Sequence, residues 1–270
     1  MLRFPNCKIN LGLYITGKRA DGYHNLETVF YPVALKDALE IVPAAEDAMH
    51  LSGLAVAGNE ADNLVLKALA LLREQCPGKI PPIATYLHKI IPMGAGLGGG
   101  SADGAFMLSL LNDHFQLALT TDELAAKALQ LGSDCPFFIY NQPHFAKGRG
   151  EDMSPIAIDL SPYSLQLICP DVHVSTRDAF AMITPKPASF DLRELPALPI
   201  GEWKHTVFND FEQPVFAQHP ELAAIKEQLY AQGAIYASMS GSGSALYGIF
   251  PKNKKATITS TVAFEDHFIL

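Results

Sequence analysis

Between residues 92 and 105 the chain reads Pro-Met-Gly-Ala-Gly-Leu-Gly-Gly-Gly-Ser-Ala-Asp-Gly-Ala, with five glycines in the seven positions from Gly94 to Gly100. So many glycines cannot occupy a helix or strand interior without a large entropic cost. An apolar, extended-looking stretch (83–91) enters the run and a helical-looking stretch (101–111) leaves it. A glycine loop that opens a helix aims bare backbone N–H groups and the positive helix end at one place, which makes an anion site, most often a phosphate site.

Three familiar phosphate loops fit poorly. The Walker pattern needs Gly-Lys-Ser/Thr four residues after its first glycine, and no lysine follows any glycine of this run. Gly94-x-Gly96-x-x-Gly99 matches the dinucleotide fingerprint, but a Rossmann unit wants a second parallel strand after the helix. Here the pattern predicts a second helix at 121–131, with Thr120 and Glu123 as a capping box and Gly132 as its stop. The protein-kinase loop is excluded because neither His-Arg-Asp nor Asp-Phe-Gly follows.

Elsewhere the chain alternates strand and helix patterns. At 7–16, Ile9, Leu11, Leu13 and Ile15 share one face and Lys8, Asn10, Gly12 and Tyr14 the other, which predicts a half-buried strand with an open polar face. On that face Lys8 is either a solvated edge charge or part of a site. Turn chemistry at 17–22 leads into a returning strand at 25–33, then strands at 38–42 and 50–56. A helix from 62–63 to about 73 takes Asp62 as its cap and Leu64, Val65, Leu69 and Leu72 as its buried stripe. In Gly132-Ser133-Asp134-Cys135-Pro136-Phe137-Phe138, an aspartate precedes an apolar segment that reads as a strand; alone, Asp134 reads as a capping residue in a turn. A strand and turn at 145–150 precede a polar, proline-containing junction at 152–162, which divides the chain into domains at 1–155 and 156–270.

The second half reads as a strand at 164–169 and a helix capped by Ser175 or Thr176. A long proline-rich loop (185–201) follows, then helices at 209–216 and 221–232 and strands at 234–238 and 245–250 flanking a second glycine loop at 241–244. A short weak helix and a final strand complete it. A net charge of −8 disfavours a general nucleic-acid binder. Cys7, Cys76, Cys135 and Cys169 lack paired spacing and read as reduced thiols of a cytoplasmic protein. No zinc spacing, signal peptide or bilayer-spanning run is visible, so no membrane partner is expected.

Four separated segments carry a resemblance. They are Lys8-Ile9-Asn10-Leu11 with Arg19-Ala20-Asp21-Gly22-Tyr23-His24, the glycine run from Pro92 to Ser101, Gly132 to Phe138, and Met239-Ser240-Gly241-Ser242-Gly243-Ser244. Together they resemble the GHMP small-molecule kinases, and within them the branch that phosphorylates a cytidine-diphosphate-linked methylerythritol. The resemblance implies an α+β fold of two domains, an N-terminal ribosomal protein S5 domain 2-like domain and a C-terminal ferredoxin-like α/β domain, with the active site in the cleft between them. It implies ATP-dependent transfer to a hydroxyl, the 2-hydroxyl, in the non-mevalonate route to isoprenoid precursors. ATP and Mg2+ are the implied cofactors, and a monomer or weak homodimer the implied assembly. Another GHMP kinase (for a sugar, homoserine or a mevalonate) and a non-catalytic nucleotide-binding module are the alternatives.

Residue by residue, the resemblance makes Lys8 and Asp134 the catalytic pair. Phosphoryl transfer is mostly positioning and charge stabilisation, so an acceptor for the hydroxyl proton and a cation for the moving phosphoryl suit it. ATP falls to Pro92, Met93, Gly94, Ala95, Gly96, Leu97, Gly98, Gly99, Gly100, Ser101 and Ala102, and the adenine side to Asn63 with Asp62 and Leu64. The metal ligands are unassigned apart from Ser101 as a candidate for Mg2+. Asn10, Tyr23, His24, Phe30, Thr176 and Phe180 fall to the substrate: a cytosine needs aromatic faces and ring-edge hydrogen bonds, although Phe30 reads equally well as core. Ala102 stands where the family usually has a second serine, and Gly104 where alanine is common.

Overall fold

The computed structural model describes residues 1–56, 58–252 and 254–270. The chain forms two compact units whose segments interleave. The first comprises Met1–Cys7, Ala34–Met93 and Gly98–Gln142, and the second Lys8–Val33, Gly94–Leu97 and Pro143–Leu270.

In the first unit the strands Leu2–Arg3, Ala38–Pro43, Ile83–Lys89 and Ala48–Gly53 make one sheet in that order. Ile83–Lys89 runs antiparallel to Ala38–Pro43 and parallel to Ala48–Gly53. Its pleat exposes Tyr86 and His88 and buries Thr85, Leu87 and Lys89. Helices Leu64–Gln75, Gly99–His114, Thr121–Leu131 and Cys135–Tyr140 complete the unit. Gly104 brings the first two of these together, since a Cβ there would lie 2.9 Å from Leu64 Cβ; the glycine in place of alanine has a packing reason. The Thr120–Glu123 capping box and the stop at Gly132 form as read from the sequence.

Two local expectations change. The cap of Leu64–Gln75 is Asn63, not Asp62, which lies in the preceding turn Glu60–Asp62; Leu64 is only half-buried, and Ala68 joins Val65, Leu69 and Leu72 in the stripe. The apolar segment after Asp134 is the helix Cys135–Tyr140 rather than a strand. Pro136 sits in its first turn, where its fixed φ suits a helix and its missing N–H costs nothing.

In the second unit Asn6–Lys18, His24–Lys36, His144–Gly148 and Asp152–Pro155 form one sheet, whose first two strands have ends in the first unit. Tyr236–Met239, Leu246–Pro251, Tyr163–Pro170 and Val262–Ile269 form the other. Helices Thr176–Ala181, Glu212–Gln218 and Pro220–Ala231 belong to this unit, with a core that includes Ile168, Phe211, Ile225 and Met239. The expected junction at 152–162 contains a paired strand, because Asp152–Pro155 adds to His144–Gly148. The long loop at 185–201 carries the 3-10 turns Leu192–Ala197 and Ile200–Glu202. Among the described residues no helix lies between the strand Leu246–Pro251 and the final strand Val262–Ile269, where the sequence predicts a short weak one.

The face of Asn6–Lys18 expected to be open is covered: Lys8, Asn10 and Tyr14 are all buried. Gly12, at φ +74°, admits the cover, since a Cβ there would meet Leu192 Cδ2 at 2.7 Å and Val207 Cγ1 at 2.9 Å. Among the described residues no helix is long and apolar enough to cross a membrane.

Candidate active site

The first unit holds the helical end of the glycine run. Helix Gly99–His114 opens at Gly98, which has φ +72° and supplies no side-chain cap. Its first N–H groups are left without a side-chain cap, the local arrangement that the sequence reading associates with an anion. Gly99 is required by packing, since a Cβ would lie 2.8 Å from Ile91 Cγ2, whereas a Cβ on Gly100 would meet nothing within 4 Å. Ala102 is fully buried, so it meets packed protein where the family's serine would place a hydroxyl.

Ser101, in the same turn, is hydrogen-bonded to Cys135. Burial pushes the Cys135 thiol up to about 12; the Ser101 bond opposes this and the neighbouring Asp134 charge adds to it. Ser101 and Asp134 thus flank one buried thiol in one unit. Asp134 occupies the cap position of Cys135–Tyr140 but makes no side-chain capping bond, so the capping role that its sequence allows is not the one it has. Asn63 does cap: its Oδ1 accepts from Val65 N at 2.9 Å.

The second unit collects Lys8 and all six residues assigned to the substrate. Lys8 Nζ donates to Asn10 Oδ1 at 2.7 Å and to the Gly96 carbonyl at 3.0 Å, and lies 5.2 Å from the Phe30 ring centroid. Asn10 Nδ2 in turn donates to Thr28 Oγ1 at 2.9 Å. The two glycine loops are joined here. Ala245 N donates to Ala95 O, Lys8 N to Leu97 O, and Ser240 Oγ to Gly96 O at 2.9 Å. Gly96 has φ +79°, and a Cβ on it would fall 2.0 Å from the Ser240 carbonyl oxygen. Asn209 Nδ2 fixes the second loop by donating to Met239 O and Gly241 O, both at 2.8 Å.

His24 stacks on Phe180, with ring centroids 5.0 Å apart and 22° between planes. Thr176 Oγ1 is 3.0 Å from Ser242 Oγ on the second glycine loop. Tyr23 is 57% exposed, with the Arg149 guanidinium 4.9 Å from its ring centroid. Phe30 is buried in the sheet and under the Lys8 cation, so its core reading and its nearness to the site hold together. Ser240 and Asn209 carried no role in the sequence reading. Ser240 lay inside a quoted motif, but only the fold sets it against Gly96; Asn209 had no signal.

Two family models match the chain. The GHMP kinases N terminal domain covers residues 63–142 and the GHMP kinases C terminal domain covers 194–264. This chain belongs to the GHMP kinase family. As a GHMP kinase it is an ATP-dependent small-molecule kinase with the two-domain α+β fold of that family. It is 56% identical over 254 residues to the 4-diphosphocytidyl-2-C-methyl-D-erythritol kinase of Bacteroides thetaiotaomicron, covering 93% of this chain and 92% of that one. A crystal structure of 4-(cytidine 5'-diphospho)-2C-methyl-D-erythritol kinase matches with TM-score 0.75 at 32% identity, covering 92% of this GHMP kinase and 90% of that chain. A homoserine kinase structure from Cytophaga hutchinsonii matches with TM-score 0.66 at 15% identity, covering 90% and 86%, which shows the shared fold alone.

Proposed function

We propose that this kinase transfers the γ-phosphoryl group of ATP to the 2-hydroxyl of 4-diphosphocytidyl-2-C-methyl-D-erythritol, in the non-mevalonate route to isoprenoid precursors. The observation that carries the substrate choice is the Tyr23–His24 turn, with His24 stacked on Phe180 in the unit that holds Lys8. Flat faces and a ring-edge hydrogen bonder answer the needs of a cytosine and serve neither homoserine nor mevalonate. The 56% identical relative of the same named activity supports the reading.

In this proposal the N–H groups at the start of Gly99–His114, with the preceding loop, hold the ATP phosphates. Asp134 accepts the hydroxyl proton and aims the oxygen; an ordinary aspartate is a weak base, so orientation is the larger part of its contribution. Lys8 offsets the charge that develops on the transferred group. Asn10 contributes by holding the Lys8 ammonium. Ser101 and Asp134, each near the Cys135 thiol, offer hard oxygens that suit Mg2+ held mainly through phosphates; when bound it would neutralise phosphate charge. We also assign the reaction to the cytoplasm, the protein to a monomer or weak homodimer, and the family's domain boundary to residue 155, which falls outside both matched stretches.

The test is an ADP-coupled assay with ATP, Mg2+ and a panel of alcohols. Turnover of the cytidyl substrate with galactose, homoserine and mevalonate untouched is expected. Turnover of one of those three and not of the cytidyl substrate would overturn the assignment. Absence of any turnover would favour the non-catalytic module, which the presence of both Lys8 and Asp134 argues against.

A further inference from the structure

Asn209, 3% exposed, sits in the second unit between the strand that carries Lys8 and the second glycine loop. Its chain neighbours tie it to the strand: Leu13 N donates to Phe208 O at 2.9 Å, and Asp210 N to Leu13 O at 2.8 Å. Its side chain turns to the loop. Asn209 Oδ1 accepts from Phe211 N at 3.0 Å, and Nδ2 donates to Met239 O and Gly241 O, both at 2.8 Å. These are the carbonyls on either side of Ser240. In the same turn, closed by Glu212 N on Asn209 O at 3.0 Å, Glu212 Oε1 accepts from Met239 N at 2.8 Å and from Ser238 Oγ at 3.0 Å. The turn thus holds both Ser240 and the strand that delivers it.

Ser240 is fully buried, and its Oγ donates to Gly96 O at 2.9 Å. The same oxygen accepts from Lys8 Nζ at 3.0 Å. A carbonyl oxygen has two lone pairs, so the hydroxyl and the ammonium together engage both. Gly96, at φ +79°, has no side chain with which to anchor its own peptide plane. The direction of its carbonyl is therefore set by what lies against it.

We infer that Asn209 is a positioning residue for the transfer reaction: by holding the carbonyls on both sides of Ser240 it fixes Gly96 O, and through that oxygen the place of the Lys8 ammonium. The inference rests on the reading of Lys8 as the cation that offsets charge on the moving phosphoryl group. Such a charge contributes most when it is already in place and does not reorganise during the reaction. Without the Asn209 amide two buried carbonyls lose a donor, and the loop shifts to regain partners. A displacement of about 1 Å in a group that orients the chemistry is enough to slow it.

The experiment is a double-mutant cycle, read as single-turnover kcat at saturating ATP and cytidyl substrate. It uses wild type, Asn209→Ala, Lys8→Met and the double variant. Asn209→Ala is expected to lower the wild-type rate about 10-fold or more. In the Lys8→Met background the same change should cost less than about 2-fold, because the group it positions is gone. A residue that only supports the fold would cost the same factor in both backgrounds. Equal factors, or a wild-type rate in Asn209→Ala, would overturn the inference and leave the reading of Lys8 standing. Normal turnover by Lys8→Met, or none by wild type, would overturn both. Should Asn209→Ala fail to fold, Ser240→Ala decides by the same comparison. A loss of about 3-fold or more that disappears with Lys8→Met supports the inference, and equal losses refute it.

Discussion

The Lys8 ammonium lies 3.0 Å from the carbonyl oxygen of Gly96, a contact made across 88 residues of sequence. The cation is thus tied to the glycine loop before any ligand arrives, and Asn10 holds it from the other side. Lys8→Met is expected to lower kcat by about 100-fold or more, because preorganised charge at a developing anion is a large catalytic contribution. Lys8→Arg should not restore it, since a planar fork does not fit a pocket shaped for a buried ammonium. Single-turnover kinetics with saturating ATP would check both; near-normal turnover by Lys8→Met would remove Lys8 from the mechanism.

Asp134→Asn keeps size and shape but loses the acceptor charge. Losses of base and orientation together should cost about 100-fold or more in kcat, with ATP affinity nearly unchanged. The double variant with Lys8→Met should be little worse than the worse single, as for groups that act as a unit. Melting temperature, measured alongside, separates a catalytic loss from a structural one. A large fall in melting temperature with retained turnover would return Asp134 to a structural role.

The glycines separate fold from ligand. Gly98 has φ +72° and Gly96 has φ +79°, so a side chain at either strains the backbone whatever it does to ATP. Gly100 is the clean position: its added Cβ meets nothing within 4 Å. Gly100→Val should fold and lose about 10-fold or more in ATP affinity by blocking phosphate approach, whereas Gly96→Ala should unfold or fail to express. Equal ATP affinity in wild type and folded Gly100→Val would show that phosphates do not bind at this helix start.

His24→Ala removes one ring of the His24–Phe180 stack. It is expected to raise KM for the cytidyl substrate by about 10-fold with a smaller change in kcat, the signature of lost ground-state binding. His24→Phe should recover the stacking part and not the hydrogen bond. An unchanged KM in His24→Ala would place the cytosine elsewhere.

Lys89→Met leaves Asp37 and Asp103 buried without their shared cation, and should destabilise by about 3–5 kcal/mol. Asp103→Asn should act in the opposite sense at high pH. The Asp103 carboxyl is raised from 3.8 to about 7 in the fold. Its contribution is therefore fully present below its unfolded value and is lost as pH rises through about 7. Denaturant melts at pH 5 and pH 8 should show the variant gaining on wild type at the higher pH, by up to about 3 kcal/mol, since only about two pH units, from 5 to 7, fall in that window. A gap independent of pH would show that Asp103 does not titrate in this range.

Much of this site was legible because its parts are local in sequence. The glycine run, the Thr120–Glu123 box and the strand carrying Lys8 are each set by residues within a few positions of one another. What was not legible depends on partners far along the chain. Alternation at 7–16 promised an open face, but residues near 192 and 207 cover it, and only Gly12 hinted at that approach. The Phe137–Phe138 segment is apolar under either reading, so pattern could not tell a buried strand from a short buried helix. Lys89 read as a strand residue like any other, because its two carboxylate partners lie 52 and 14 residues away.

The interleaving of the two units sets a schedule for synthesis. Leu26 pairs with Gly148, and 148 − 26 = 122 residues separate them. At roughly 5–20 residues per second, a ribosome needs about 6–25 seconds to supply the second partner after the first has been made. Throughout that interval the early hairpin has an unpaired strand edge, which other chains can join. Cell-free translation with stalled templates should show nascent chains ending near residue 130 bound by chaperones, and chains that extend well past 155 released from them.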